Sequence, residues 1–310
     1  SLKPLWEQSR QSSISSKDRS SLIDQMFDQT KGQLVELIFK HDASRIIQTI
    51  IKYSNEQQRS SIYTELKGKF SELSQGKYSK HLVSKMLKLC PSKRPQIVQE
   101  LSRNSKKMLR NRESSKILEL IFMQYTNAKE KKFLALPLYY PEFKLLFPTT
   151  VDHSTTSNKK KGEGCKSLKE LISECKTEEK KSKIISDLLE AITAALDKGL
   201  ASNSFVHHLI AEYLQVCSEQ QSSDLMKMIR DQLVEILHTH IGFKIVCQCI
   251  SSSSVKERKA ILKSFKPFLT KIAQDEFGHL VLICCLTLID DIVLIEKTIL
   301  PTDNSFLSNG

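Results

Sequence analysis

Six short segments of this chain repeat one pattern: a small residue, two mostly polar or basic positions, then an apolar pair. They occupy residues 41–48, 77–83, 112–118, 205–210, 240–246 and 276–282, and only Val206 departs from the small residue. Aligned on the residue after the small one, they fall at Ser44, Lys80, Ser115, His207, Phe243 and His279, at intervals of 36, 35, 92, 36 and 36. A fixed period of this length means stacked supersecondary units, each hiding its apolar face against its neighbours.

Amphipathic stretches in the same phase lie between the segments. Ile62, Leu66, Phe70 and Leu73 are answered one unit on by Ile97, Leu101, Met108 and Leu109, and later by Ile229, Leu233, Ile236, Ile261, Phe265 and Ile272. Their i, i+3 and i+4 spacing places them on one helix face. Each unit therefore reads as a helix of about 14 residues, a turn, and a second helix opening with the repeated segment. Pro91-Ser92 and the serines at 251–254 punctuate the units, and no stretch alternates as a strand does. The predicted class is all-α, a right-handed α-solenoid.

The 92-residue interval is the irregular part. Residues 136–148 read as a degenerate unit shortened by Pro137, Pro141 and Pro148, and 151–166 as a polar loop. The expected organisation is a first array at 1–148, a linker at 149–177, and a second array at 178–310. A first helix starting at Asp291 has no second helix after it, and the chain opens on Ser1. The reading is a fragment whose parent continues past Gly310, since a solenoid needs a cap.

Charge divides the chain more sharply than composition does. Residues 1–150 carry 27 Lys and Arg against 14 Asp and Glu, whereas 151–310 carry 20 against 21. Between Lys67 and Lys132 there are 17 basic and 5 acidic side chains, which equals the net charge of +12 for the whole chain. A basic excess so concentrated is the footprint of a polyanion-binding face. No apolar run approaches the roughly 18 residues that a membrane span needs. The eight cysteines include no C-x-x-C pair and read as reduced, buried, structural thiols of an intracellular protein. No P-loop, dinucleotide turn or nucleophile elbow is present, so neither an enzyme nor a cofactor is expected. His207-His208 point about 100° apart on a helix, and with His238 and His240 lacking a partner cysteine no metal site is expected.

If the second helices line the ligand face, each unit presents the two residues after the small one and the residue three further on. Here the chain resembles the PUF (pumilio) family, whose repeats can each read one RNA base with two or three side chains. The segments at 41–48 and 276–281 carry that likeness. Leu5-Trp6-Glu7, the break at 139–147, Val206 to Leu214, and Gly278 to Leu282 with Ile289-Asp290-Asp291 are similar to its nucleolar Puf-A-type branch. The resemblance implies an RNA-binding factor for large-subunit ribosome assembly in the nucleolus, holding structured rRNA with little base preference, within pre-60S particles. A short basic cluster, Lys159-Lys160-Lys161, suits nuclear import.

The residues agree with weak base reading. Only Ser44, Arg45 and Gln48 form a base-reading set, because Gln pairs with a base edge and Arg stacks on its plane. Lys77, Lys80, His81 and Lys85 in the second unit, with Arg110, Arg112 and Lys116 in the third, suit phosphates along one ridge. Tyr78 is the nearest stacking platform, Phe122 reading as core. The last three units read as scaffold without base recognition, and residues 151–310 as a dock for ribosomal or assembly proteins. Two rivals are weighed: a protein-binding scaffold of armadillo or HEAT character, and a sequence-specific mRNA repressor. The first predicts aromatic and Asn residues along the inner helices, and the second predicts complete reading sets in most units.

Overall fold

A computed structural model describes residues 2–139 and 167–299, and these form two compact units, 1–166 and 167–310. Every element among the described residues is helical. In the first unit α1 is Leu2–Ser9, α2 Ser16–Thr30, α3 Leu34–Ile38 and α4 His41–Tyr53. Then come α5 Glu56–Leu66, α6 Phe70–Gln75, α7 Lys80–Leu89, α8 Arg94–Arg103, α9 Ser105–Leu109, α10 Arg112–Leu120 and α11 Ala128–Tyr139. The second unit holds α12 Leu168–Glu174, α13 Glu178–Asp197, α14 Ser204–Leu214, α15 Glu219–Ile229, α16 Leu233–Ile236 and α17 His240–Ser252. It continues with α18 Val255–Phe265, α19 Leu269–Gln274, α20 Gly278–Leu288 and α21 Ile292–Ile299.

Five of the described repeats are three-helix units, which corrects the expected pair of helices there, while α13 and α14 form the expected pair. The single first helix of about 14 residues is broken in the repeats that end in α4, α7, α10, α17 and α20, whereas α13 runs unbroken over Glu178–Asp197 before α14. Glycines in the left-handed region make the break at Gly32 and Gly68, with φ of 82° and 83°, and Gly199 turns the chain after α13 at 69°. Short 3-10 turns do it at Arg230–Gln232 and Lys266–Phe268, the latter holding Pro267. Two further expectations shift. Residues 168–174, assigned to the linker, are a helix started by a capping box between Ser167 and Glu170. Pro137 lies inside α11, which runs on to Tyr139; Pro141, Pro148 and the loop 151–166 lie outside the described residues.

The repeated segment opens α4, α7, α10, α14, α17 and α20, and its apolar pair is the core. Ile47, Leu82, Val83, Leu118, Leu209, Ile210, Val246 and Val281 are fully buried. Phe122 is core as well, at 4% exposure. Burying each such side chain contributes about 1.5–3 kcal/mol. Within each unit the long helices pack in sequence: α4 on α7 and α7 on α10, then α14 on α17 and α17 on α20.

The small residue of the pattern has a direct cause. At that position the chain meets the carbonyl six residues back, at the end of the short middle helix. Ser79 Oγ donates to Leu73 O at 2.6 Å and Ser114 Oγ to Met108 O at 2.7 Å. Glycine instead allows closest approach: a Cβ on Gly242 would sit 1.9 Å from Ile236 O, and one on Gly278 2.4 Å from Ile272 O.

Arginine ties successive repeats together. Arg59 donates to Ile51 O, Lys52 O and, 30 residues on, Leu89 O, at 3.0–3.2 Å. Arg258 makes the same set in the second unit, to Ile250 O, Ser251 O and Leu288 O at 2.8–3.1 Å. Both cap the unpaired carbonyls that end two consecutive long helices. Carboxylates do the converse at the glycine turns: Glu65 accepts from Gly32 N and Leu34 N, and Glu100 from Gly68 N and Phe70 N. Burial pushes the Glu100 carboxyl up, against the pull of these N–H donors.

The thiols divide, where uniform burial was expected. Cys90, Cys249 and Cys285 are buried, but Cys175, Cys217, Cys247 and Cys284 are half-buried. Cys165 lies outside the described residues.

Two substitutions test this packing. Arg59→Met leaves three carbonyls short of a charged donor and should lower unfolding free energy by about 2 kcal/mol, read by urea titration, whereas exposed Lys88→Met stays within about 0.5 kcal/mol of the parent. Gly242→Ala forces its methyl onto a backbone oxygen and should cost about 2–3 kcal/mol.

Candidate nucleic-acid interface

The repeat stacking brings the N-terminal ends of α4, α7 and α10 side by side. His41, the first residue of α4, meets the Tyr78 ring edge-on at 4.6 Å. Lys80, the first residue of α7, pairs with Glu113 in the first turn of α10, whose carboxylate also lies 3.6 Å from Lys116. The ten residues singled out in the sequence therefore fall on one stretch of the first unit, but with unequal availability.

Ser44 is fully buried: its hydroxyl donates to Tyr78 O at 3.3 Å and receives Gln48 Nε2 at 3.3 Å. The expected reading set is corrected here, because Ser44 packs α4 against the next repeat and engages Gln48. Arg45 is exposed, with its guanidinium 5.6 Å from the centre of the Trp6 ring. Lys80 is corrected too. Its side chain is only 15% exposed and its charge is met by Glu113, so it joins the second repeat to the third. The Lys80 ammonium in turn holds the Glu113 carboxyl below the usual range, with Lys116 adding to it.

His81 is exposed, but burial of its ring and the neighbouring Lys80 lower its pKa, so it is neutral near pH 7. Lys85 is half-buried and donates to Gln48 O at 3.3 Å; burial, then Lys52, lower its pKa. Lys77, Arg110, Arg112 and Lys116 are exposed, Lys77 resting 5.6 Å from the Tyr78 ring. The exposed cations of the expected ridge are thus Lys77, Arg110, Arg112 and Lys116, with Arg112 the first residue of α10 and Lys116 one turn further on.

Sequence reading missed a second cluster on the same unit. Trp6 donates Nε1–H to Thr49 Oγ1 at 2.9 Å and carries Arg10 at 4.6 Å as well as Arg45. Tyr53 carries Lys52 at 4.7 Å and Arg19 at 5.0 Å. Lys52 leads in lowering the Tyr53 pKa, with Arg19 and Lys85 contributing. The signal available in the sequence was Lys52-Tyr53 following the repeated segment, and Trp6 as the one tryptophan.

The second unit presents a different face. His207 is fully buried and neutral: its Nε2–H donates to Ala201 O at 2.6 Å, so Nδ1 accepts from the Thr239 hydroxyl at 2.7 Å. The Phe243 and Phe277 rings are parallel, 5.8 Å apart, with His240 against both. A shallow cavity of about 410 Å³ between α14 and α17 is lined by His208, Glu212, Lys244, Gln248 and Lys169. Among the described residues no group of three or more His, Cys, Asp or Glu is placed to hold a metal ion, and no helix is long and apolar enough to cross a membrane.

This stacked arrangement has close counterparts. No family model matches the chain. Pumilio homology domain family member 6 of Saccharomyces cerevisiae is 31% identical over 304 residues, covering 97% of this chain and 44% of the relative. The protein of the same description from Schizosaccharomyces pombe is 30% identical over 297 residues, covering 95% and 44%. The chain thus spans less than half the length of these relatives. The crystal structure of human Puf-A superposes with a TM-score of 0.78 at 26% identity, over 96% of this chain and 56% of that one. Human Puf-A in complex with DNA gives 0.76 at 25% identity over the same shares.

The chain belongs to the pumilio-repeat helical solenoids. Within them it is a Puf-A-like protein, as the order of its repeats and the break between them had suggested.

Burial pushes the His207 pKa down from 6.5 to about 4, partly opposed by its bond to Ala201 O. The unfolded chain therefore takes up this proton first as pH falls. Stability should drop between pH 6.5 and about 4, by about 3 kcal/mol in all, and level off below. His207→Gln should flatten that part of the pH–stability curve in denaturant titrations.

Proposed function

We propose that the chain is an RNA-binding factor of large-ribosomal-subunit assembly that works in the nucleolus. It holds structured rRNA in pre-60S particles through phosphates, with little base preference. The carrying observation is the row of exposed cations Lys77, just before α7, and Arg112 and Lys116, on the first half of neighbouring α10, inside the segment that supplies the whole charge excess. Cations spaced by a repeat neutralise successive phosphates and release their counterions. Similarity to human Puf-A, crystallised with DNA, supports a nucleic-acid partner and agrees with backbone-led contact.

Base reading is weak in this account because its parts are committed elsewhere. Ser44 is buried and Gln48 bonded to it, while Phe243 and Leu280 stand where a base reader would need a polar side chain. The second half, nearly neutral in charge, is assigned to docking of assembly proteins, and binding rather than catalysis is the activity.

The test is affinity for a structured rRNA hairpin, a duplex DNA and an unrelated single strand across a salt series. The three affinities should agree within about tenfold and share a steep salt slope. Lys77→Glu/Arg112→Glu/Lys116→Glu should lower the log–log slope by about 2–3. Glu113→Gln, which removes the carboxylate between Lys80 and Lys116, should tighten binding. A shallow slope, or no loss in the triple variant, would refute phosphate-led binding.

A further inference from the structure

One cationic face of the first unit is left unused by phosphate contact at α7 and α10, and it runs along α4. Arg45, Thr49 and Tyr53 are spaced by one turn, so they share a side of that helix over a rise of about 12 Å. Thr49 fixes the first aromatic ring: its hydroxyl accepts the Trp6 indole N–H at 2.9 Å and donates to Arg45 O at 3.0 Å. The guanidinium groups of Arg10 and Arg45 lie over that ring, 4.6 and 5.6 Å from its centre. At the other end Tyr53 is 37% exposed, with Lys52 at 4.7 Å and Arg19 at 5.0 Å from its ring. Arg19 is pinned there by donating to Ser9 O and Gln11 O, both at 3.1 Å. Lys85 reaches α4 from the next repeat, donating to Gln48 O at 3.3 Å.

Two properties separate this face from the ridge. Arg10, Arg19, Arg45, Lys52 and Lys85 make no salt bridge with any described residue, whereas Glu113 lies against Lys80 and Lys116. Each end also sets cations over an aromatic ring, whereas Tyr78, beside Lys77, is already met edge-on by His41. Phosphate contact alone calls for neither ring. Aromatic rings and guanidinium planes are stacking surfaces that accept any base, and cations around them hold the backbone. Paired bases are stacked on one another, so only unpaired ones can use such surfaces.

We infer that the α4 face, from Trp6 and Arg45 to Tyr53, is a second nucleic-acid site that takes unpaired nucleotides without reading their sequence. Bases stack on the Trp6–Arg45 and Tyr53–Arg19 pairs, while Arg10, Lys52 and Lys85 neutralise phosphates. The inference rests on the nucleic-acid binding proposed above and adds a preference for strands that leave a duplex. α4 packs on α7 in the same unit, so the site adjoins the ridge.

Trp6 is the one tryptophan of the chain, and its fluorescence therefore reports this face alone. An unstructured uridine oligomer should quench that emission to saturation, and a blunt RNA duplex should leave it nearly unchanged. A hairpin with an unpaired end should bind roughly tenfold more tightly than the same hairpin with a blunt end. Arg45→Gln/Tyr53→Leu, checked for an unchanged melting temperature, should erase that advantage. Lys77→Glu/Arg112→Glu/Lys116→Glu should weaken both hairpins alike and keep it, so failure of the ridge and failure of this face give different results. Oligomer binding seen by anisotropy without quenching would overturn the inference. Equal quenching by an acidic peptide of the same charge, or an advantage that survives in Arg45→Gln/Tyr53→Leu, would do the same.

Discussion

An arginine reaching across a repeat boundary is the interaction on which the rest of this structure depends. Each long helix ends with carbonyls that no amide of its own can satisfy. Arg59 and Arg258 answer two such ends at once, eight and seven residues back and 30 residues ahead. A planar guanidinium suits this task because its donors diverge in a fixed fork. The bond to the later repeat fixes the distance between consecutive long helices, and Glu65 and Glu100 do so from the opposite end at the glycine turns. A one-dimensional array has only neighbour contacts to rely on, so a linkage used in both units sets its geometry.

That geometry decides which charges face solvent. Stacking α7 on α10 drives Lys80 onto Glu113, so one cation becomes a tie between repeats while Lys77, Arg112 and Lys116 stay at the surface. Desolvation by the same packing leaves His81 neutral and lowers Lys85. A regional charge count is therefore an upper bound on what a polyanion meets. Arg112 opens α10, where the backbone N–H groups contribute in the same sense, and Lys116 follows one turn further along.

Much of the fold was legible in the sequence because its cause is local and repeated. The apolar pair, the helix phase and the 36-residue interval report the buried face directly. The small residue is legible too, and the carbonyl six residues back supplies its reason at Ser79, Ser114, Gly242 and Gly278. The split of the first helix in most repeats was missed because the apolar period runs through it unbroken, and only Gly32 and Gly68 hint at a reversal. The role of Ser44 was missed for another reason: its partner, the Tyr78 carbonyl, is a backbone group of the next repeat and leaves no mark in side-chain patterns. Lys80 and Glu113 show the same limit, since a pair 33 residues apart emerges only when the repeats are stacked.

Backbone-led RNA contact at the ends of α7 and α10 is the central claim, and photo-crosslinking reads it most directly. A structured rRNA hairpin carrying 4-thiouridine would be bound to the chain, irradiated, digested and mapped by mass spectrometry. Crosslinks should concentrate at residues 77–81 and 110–116, with little change when the hairpin sequence is altered at constant shape. Crosslinks confined to residues 204–288, or present with only one hairpin sequence, would contradict it.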